Sequence, residues 1–268
     1  MIQITFLGTG GATPYKGRTT PMLAVAANSH SMLFDCGSGA TLRLAECEIK
    51  AGSIQSLFFT HFHADHCVDF PVFVLTSYLG GRVEPLKVFG PKGTRRFVRT
   101  MLEDLFPYIP KLIKGITGTP FTIEVDELGT NEVRNFEGVV VTAACVVHSV
   151  PALAYRVSTE REVICISGDT EYSEEVIRLA QASQILVHEC PFPVAMGKVP
   201  DHTTAQQVGE VAGAARVNTL VLTHLFEEVV GGEAEMKRAI GEHFEGKVVF
   251  GKDLMRLRVD GAEVTFGN

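Results

Sequence analysis

The sequence predicts an α/β fold in which two sheets pack face to face with helices on the outside. Two β-rich blocks, each followed by helical pattern, carry this expectation. Hydrophobic residues make up 46% of the 268 positions, enough for a sizeable core, and charged residues 21%. No Ser/Gly/Pro-rich linker or low-complexity segment divides the chain, so one domain over 1–268 is expected.

Taken in order, the first block reads as strands over 2–7, 22–27, 31–35, 56–60 and 86–89, each a short apolar or alternating run bounded by turn residues. Asn28-Ser29-His30 reads as the hairpin turn between the second and third. A turn into a helix follows over 91–106, with Thr94 as its N-cap. Strands return over 121–125, 139–147, 153–157 and 163–167. The pattern then alternates: helix 173–182, strand 184–188, helix 203–214, strand 219–223, helix 233–244 and strand 247–250. Thr203 followed by Gln206 has the form of a capping box opening its helix.

Bulk properties exclude several classes. With 24 basic and 31 acidic residues the net charge is -7, so the chain lacks the broad cationic surface that gains nucleic-acid affinity by counterion release. The six cysteines (Cys36, Cys47, Cys67, Cys145, Cys165, Cys190) form no CxxC pair and mostly lie in apolar runs, which predicts buried free thiols. The N-terminus reads as a strand rather than a signal peptide, and no apolar run reaches the ~20 residues of a membrane span; a cytoplasmic protein is expected.

The histidines hold the chemistry. His30, in the hairpin turn, and His243, near a helix end, are assigned no functional role. The others gather where strands end: His61 after SLFF, His148 after VVVTAACVV, His188 after QILV and His224 after TLVLT, with Asp169 following VICIS through Gly168. Loops at strand ends converge on one rim of a layered fold. In Thr60-His61-Phe62-His63-Ala64-Asp65-His66, a turning backbone can aim His61 and His63 at one ion, and Asp65 and His66 at a second position. Two histidines plus one from elsewhere suit Zn²⁺ or a similar divalent ion; an Asp with two histidines suits another, and one more carboxylate can bridge them. A dinuclear catalytic site is expected.

These residues resemble a family. THFHADH has the HxHxDH form of the metallo-β-lactamase superfamily, and His148, Gly168-Asp169-Thr170 and Leu222-Thr223-His224 follow in that family's order. The stretches FLGTGGATP, LFDCGSG, VFGPKGTRRF, LVHEC and DHTTAQQVGEVAGAARVNTLVLTH are similar to its ribonuclease Z-like branch. The resemblance implies a four-layer αβ/βα sandwich with the metal site on its edge. It implies one metal on His61, His63 and His148, and another on Asp65, His66 and His224, with Asp169 bridging. Zinc is the first choice, with manganese or iron as alternatives. His202, oriented by Glu189, would protonate the leaving oxygen; Asp65 would also orient the nucleophile, a water brought toward neutral pKa by the two ions. His188 stays open between a supporting and a purely structural role. A homodimer is common among such relatives.

The substrate is constrained by what is missing. Ribonuclease Z-like enzymes that process transfer RNA clamp it with a long arm, commonly inserted between the third histidine motif and the bridging aspartate. Here that interval holds only LAYRV and VICIS, so folded transfer RNA is disfavoured and a small or nucleotide-type phosphodiester is favoured. Pro14-Tyr15-Lys16-Gly17-Arg18 fits a PxKxR phosphate loop, with Thr19 where that motif has Asn. Lys92, Arg95, Arg96 and Arg99 form a cationic run that reads equally as a solvated helix face. The alternatives are arylsulfatase or lactonase activity at the same centre, transfer-RNA 3′ cleavage despite the missing arm, and a non-catalytic metal-binding protein, against which the seven intact ligand positions argue.

Overall fold

The computed structural model describes residues 1–118 and 120–267. The first half supplies β1 (Ile2–Gly8), β2 (Met22–Ala27), β3 (His30–Phe34), β4 (Ser56–Phe58), β5 (Leu86–Gly90) and β6 (Ile123–Glu127). The second supplies β7 (Val133–Phe136), β8 (Val139–Val146), β9 (Ala152–Ser158), β10 (Val163–Ile166), β11 (Ile185–Glu189), β12 (Thr219–Thr223) and β13 (Lys247–Phe250). Two final strands, β14 (Arg256–Asp260) and β15 (Glu263–Gly267), return to the first sheet. Among the described residues the sheets run β15-β14-β1-β2-β3-β4-β5-β6 and β13-β12-β11-β10-β9-β8-β7.

The helices are α1 (Ala40–Glu46), α2 (Ala64–Cys67), α3 (Phe70–Leu79), α4 (Thr94–Arg99), α5 (Tyr108–Thr117), α6 (Glu174–Leu179), α7 (Ala205–Ala214) and α8 (Glu233–Gly241). Side-chain alternation along each strand sorts the apolar residues into layers. Phe34, Phe58, Tyr155, Val187 and Val221 meet between the sheets. Leu33, Leu57 and Val88 face outward onto Phe70, Phe73, Ile109 and Ile113 of α3 and α5. On the other side Cys165, Leu186 and Leu220 meet Val176, Val208 and Met236 of α6, α7 and α8. This is the expected four-layer αβ/βα sandwich. Phe58 anchors its centre, with ring centroids 5.0 Å from Phe34, 4.7 Å from Phe89 and 5.4 Å from Tyr155.

Each sheet contains a parallel block, β3-β4-β5-β6 in one and β10-β11-β12-β13 in the other. Their C-terminal ends form the rim where open α/β sheets place ligands. No described helix is long and apolar enough to cross a membrane.

Local details depart from the sequence reading. The capping box on α7 belongs to Thr204 and Gln207, one residue later than expected, because Thr203 is turned inward by bonds to Thr170 and Glu189. The helix expected over 91–106 starts after Gly93 and changes at Thr100 to a π-helical turn through Leu105. His30 is the first residue of β3 rather than part of the turn. Cys145 is exposed, contrary to expectation, whereas Cys36, Cys47, Cys67, Cys165 and Cys190 are buried free thiols.

Candidate metal centre

The loop after β4 is built from alternating anchors and donors. Phe59 packs against Phe70 and Phe97, and Phe62 stacks on Phe97 of α4 at 4.6 Å. With both phenylalanines drawn toward α3 and α4, His61 and His63 face the opposite way, their rings 4.7 Å apart. α2 then carries Asp65 and His66. Gly37 makes this approach possible: a Cβ there would lie 2.0 Å from the Asp65 carbonyl oxygen.

The remaining donors arrive from the second sheet: His148 beyond β8, Asp169 beyond β10, and His224 at the end of β12. Donor atoms of His61, His63 and His148 lie within 4.8 Å of one another, as do those of Asp65, His66 and His224. Asp169 joins both halves, grouping with His61 and His66 and also with His202 and His224. Its Oδ2 is 3.8 Å from His61 Nε2, 3.4 Å from His66 Nε2 and 3.0 Å from His224 Nε2. Asp65 Oδ2 is 3.3 Å from His66 Nε2 and 3.4 Å from His224 Nε2. Thus all seven sequence-predicted ligand positions converge.

These spacings fit divalent ions. Two donors, each about 2.1 Å from a tetrahedral ion, lie about 3.4 Å apart. Moreover, Nε2 of His61, His66 and His224 is buried without a hydrogen bond among the described residues, a costly state that a cation would relieve. The opposite nitrogens of His61, His66 and His148 are held by the fold, whereas His224 Nδ1 is also buried without a hydrogen bond among the described residues. Thr60 Oγ1 lies 3.0 Å from His61 Nδ1, and the Asp201 carbonyl 2.9 Å from His148 Nδ1.

Asp35 is the residue that the sequence reading passed over. Its carboxylate accepts from Thr60 N at 2.7 Å and Thr60 Oγ1 at 2.8 Å, and sits 2.8 Å from His66 Nδ1. That bond sets the tautomer, leaving the His66 Nε2 lone pair aimed at the centre. An aspartate directly after β3, within LFDCGSG, was the available signal. Asp35, Asp201 and His224 all adopt left-handed backbone (φ 61°, 67° and 58°), conformations that L side chains hold only under constraint.

Glu189 ends β11 fully buried, and its Oε1 gathers three partners: Thr170 N at 3.2 Å, Thr203 N at 3.0 Å and His202 Nδ1 at 3.3 Å. Burial pushes the Glu189 carboxyl above its usual range, and the adjoining His202 offsets only part of this. Burial disfavours a charged His202, but the hydrogen bond and charge of Glu189 outweigh it and raise the imidazole above its ordinary value. The His202 ring is partly open to solvent, 5.7 Å from the ring of His148 and 5.3 Å from that of His224. His188 precedes Glu189 in β11 and is buried, its Nδ1 2.7 Å from the Glu189 carbonyl, and burial lowers it to about 4.

Of the phosphate features, Arg18 is tied down by Thr9 and the Gly251 carbonyl, whereas Lys16 is exposed. Lys92, just before α4, and Arg95, Arg96 and Arg99 along it are exposed, with Arg95 3.3 Å from Asp126. Between His148 and Asp169 the chain forms β9 and β10, with no projecting arm.

Known proteins resemble this chain over most of its length. The family model described as "Anti-Pycsar protein Apyc1" matches residues 2–229. A ribonuclease Z of Mycobacterium avium is 30% identical across 97% of this chain and 99% of its own length. One from Methanosarcina acetivorans is 29% identical across 97% and 98%. Among solved structures, human tRNase Z, short form, superposes with a TM-score of 0.76 at 25% identity, covering 96% of this chain and 99% of that one. The metallo-β-lactamase fold protein YhfI from Bacillus subtilis does so at 0.80 with 18% identity, covering 96% and 100%, a likeness of fold.

Proposed function

The chain belongs to the anti-Pycsar protein Apyc1 family, within the ribonuclease Z-like metal-dependent hydrolases of the metallo-β-lactamase fold, and on that premise we propose that it is a phosphodiesterase acting on a small, nucleotide-type diester through two divalent ions. The observation that carries this is the donor cluster with its orphaned imidazole nitrogens. His61, His63 and His148 would hold one ion, Asp65, His66 and His224 the other, with Asp169 between them. When bound, such ions lower the pKa of water and neutralise charge on the phosphoryl oxygens; zinc suits the donors, and manganese or iron remain alternatives.

The chain's own groups complete the chemistry. Asp65 accepts a hydrogen bond from the attacking water, orients it and takes up its proton. As the new P–O bond forms, the bond to the leaving oxygen breaks, and its electron pair stays with that oxygen. His202 donates a proton there, held in the right tautomer by Glu189.

A small diester is favoured over folded RNA by the strand hairpin that occupies the place of an arm, and by the net charge of -7. From the name of the matching family, a role against Pycsar is carried to this chain as part of the proposal. The names of the ribonuclease Z relatives favour a second reading, cleavage of precursor transfer RNA. Homodimerisation also belongs to the proposal, supported by the exposed Tyr108, Leu112 and Ile116 spaced along α5; light scattering measures it.

A panel decides among these. Metal-loaded protein is expected to hydrolyse bis(p-nitrophenyl) phosphate and 3′,5′-cyclic nucleotides in preference to aryl sulfates and lactones, and to lose activity with EDTA or Asp65→Ala. Preference for sulfates or lactones overturns the assignment. Specific cutting of precursor transfer RNA, with steep salt dependence, would establish the second reading instead.

A further inference from the structure

We infer that Asp253 is a positioning residue for one half of the metal centre, its carboxylate fixing the two stretches of backbone that aim His224 and Asp65. This deepens the two-ion reading and rests on it. Asp253 lies in the loop after β13, its side chain 4% exposed. Both of its oxygens are engaged. Oδ1 accepts from Thr9 N at 2.9 Å and Thr9 Oγ1 at 2.7 Å, and Oδ2 from Thr19 N at 2.7 Å and Arg43 Nη2 at 3.2 Å. One buried carboxylate thereby pins both ends of the long loop between β1 and β2 through charge-assisted bonds.

From Thr9 the hold passes to His224. The Thr9 carbonyl accepts from Leu225 N at 2.9 Å, and Gly11 N donates to the Leu225 carbonyl at 3.2 Å, so the residue after the ligand is bracketed by backbone bonds. Ligating histidines are ordinarily aimed by a partner on the second ring nitrogen. His61, His66 and His148 have one, whereas both nitrogens of His224 are buried without a hydrogen bond among the described residues. The aim of this imidazole therefore rests on its backbone. That backbone is left-handed, with φ 58°, a conformation that persists only where the surroundings impose it.

From Thr19 the hold passes to Asp65. Thr19 Oγ1 donates to the Ser38 carbonyl at 2.7 Å, and Ser38 N donates to Thr20 Oγ1 at 2.8 Å. Those bonds seat Gly37, whose lack of a Cβ makes room for the Asp65 carbonyl. The other half of the centre has different supports: Thr60 Oγ1 for His61, Ser149 Oγ for His63 and the Asp201 carbonyl for His148. Loss of Asp253 weakens one ion position and spares the other.

The test counts Zn²⁺ bound per chain by atomic emission, after equilibration with graded concentrations of a competing chelator. Wild type is expected to hold two ions. Asp253→Ala should release one of them at roughly 10- to 100-fold lower chelator concentration, the loss typical of a residue that orients a ligand from behind, and keep the other as wild type does. Asp253→Asn keeps the volume but turns an amide toward the donors. It should show the same selective loss, and it carries the comparison if the alanine variant does not fold. Combined variants assign the ion: Asp253→Ala added to His148→Ala should weaken the one ion left, whereas added to His224→Ala it should change nothing. His30→Phe, at the opposite end of β3 from the rim, controls for lowered stability and should hold both ions as wild type does. Two ions kept at wild-type affinity in the Asp253 variants, equal weakening of both ions, or the same loss in His30→Phe overturn the positioning role alone. A wild type that holds fewer than two ions overturns the two-ion reading and the positioning role with it.

Discussion

Replacing His30 by phenylalanine should change how stability depends on pH, far from the metal centre. The ring is 8% exposed, stacks on Phe136 at 4.0 Å, and shares a hydrogen bond with Ser56 Oγ at 3.0 Å. Burial, helped by the charge of Lys87, lowers its pKa from 6.5 to about 4. Between those values the unfolded chain takes up a proton that the native ring refuses, so stability is lost as pH falls. With about 1.36 kcal/mol per unit, the full effect is near 3 kcal/mol, and at pH 5 about 2 kcal/mol; solvent in the open recess that His30 lines brings that to about 1–2 kcal/mol. His30→Phe keeps the stack and removes the titration, but strands the buried Ser56 hydroxyl at a cost of roughly 1–3 kcal/mol at every pH. Urea unfolding followed by circular dichroism at pH 7.5 and 5.0 gives both differences. The variant should be the weaker at pH 7.5, and the gap should shrink by about 1–2 kcal/mol at pH 5.0. An unchanged gap refutes the argument, because a ring that titrates normally adds no pH dependence.

Three further outcomes follow from the site. Glu189→Gln removes the charge that raises His202, so the alkaline limb of the kcat/KM profile should move to lower pH, with kcat falling about 10²-fold or more; an unmoved limb separates Glu189 from proton transfer. Asp35→Asn weakens the hold on His66, and competition with a chelator should show metal affinity down roughly 10- to 100-fold. Gly37→Ala forces a methyl against the Asp65 carbonyl, and thermal melts should show both a lower Tm and reduced bound metal; a wild-type melt would mean that the loop shifts freely.

Much of the fold was legible because strands such as TLVLT and KVVF are short apolar runs whose identity survives without context. The helix α3 was not: in FPVFVLTSYL apolar residues occur on nearly every side, so no 3.6-residue stripe marks it. β7 and β15 escaped for the opposite reason, since VRNF and EVTFG are mostly exposed edge segments with little apolar signal. The convergence of the histidines was visible because ligands at strand ends need only topology to meet. Asp35 was not, since its role depends on a contact with His66, thirty-one positions away, that no local pattern encodes.

The donors around Asp169 are supplied by opposite sides of the molecule, His61, Asp65 and His66 from the first sheet and His148, Asp169 and His224 from the second. Whatever cation satisfies them therefore acts as a non-covalent cross-link between the N-terminal and C-terminal halves, closing a loop of more than a hundred residues. Its removal should not merely stop turnover. It should let the two halves breathe independently at this rim, so that amide exchange quickens in the loops after β4, β8 and β12 while the aromatic centre around Phe58 stays protected.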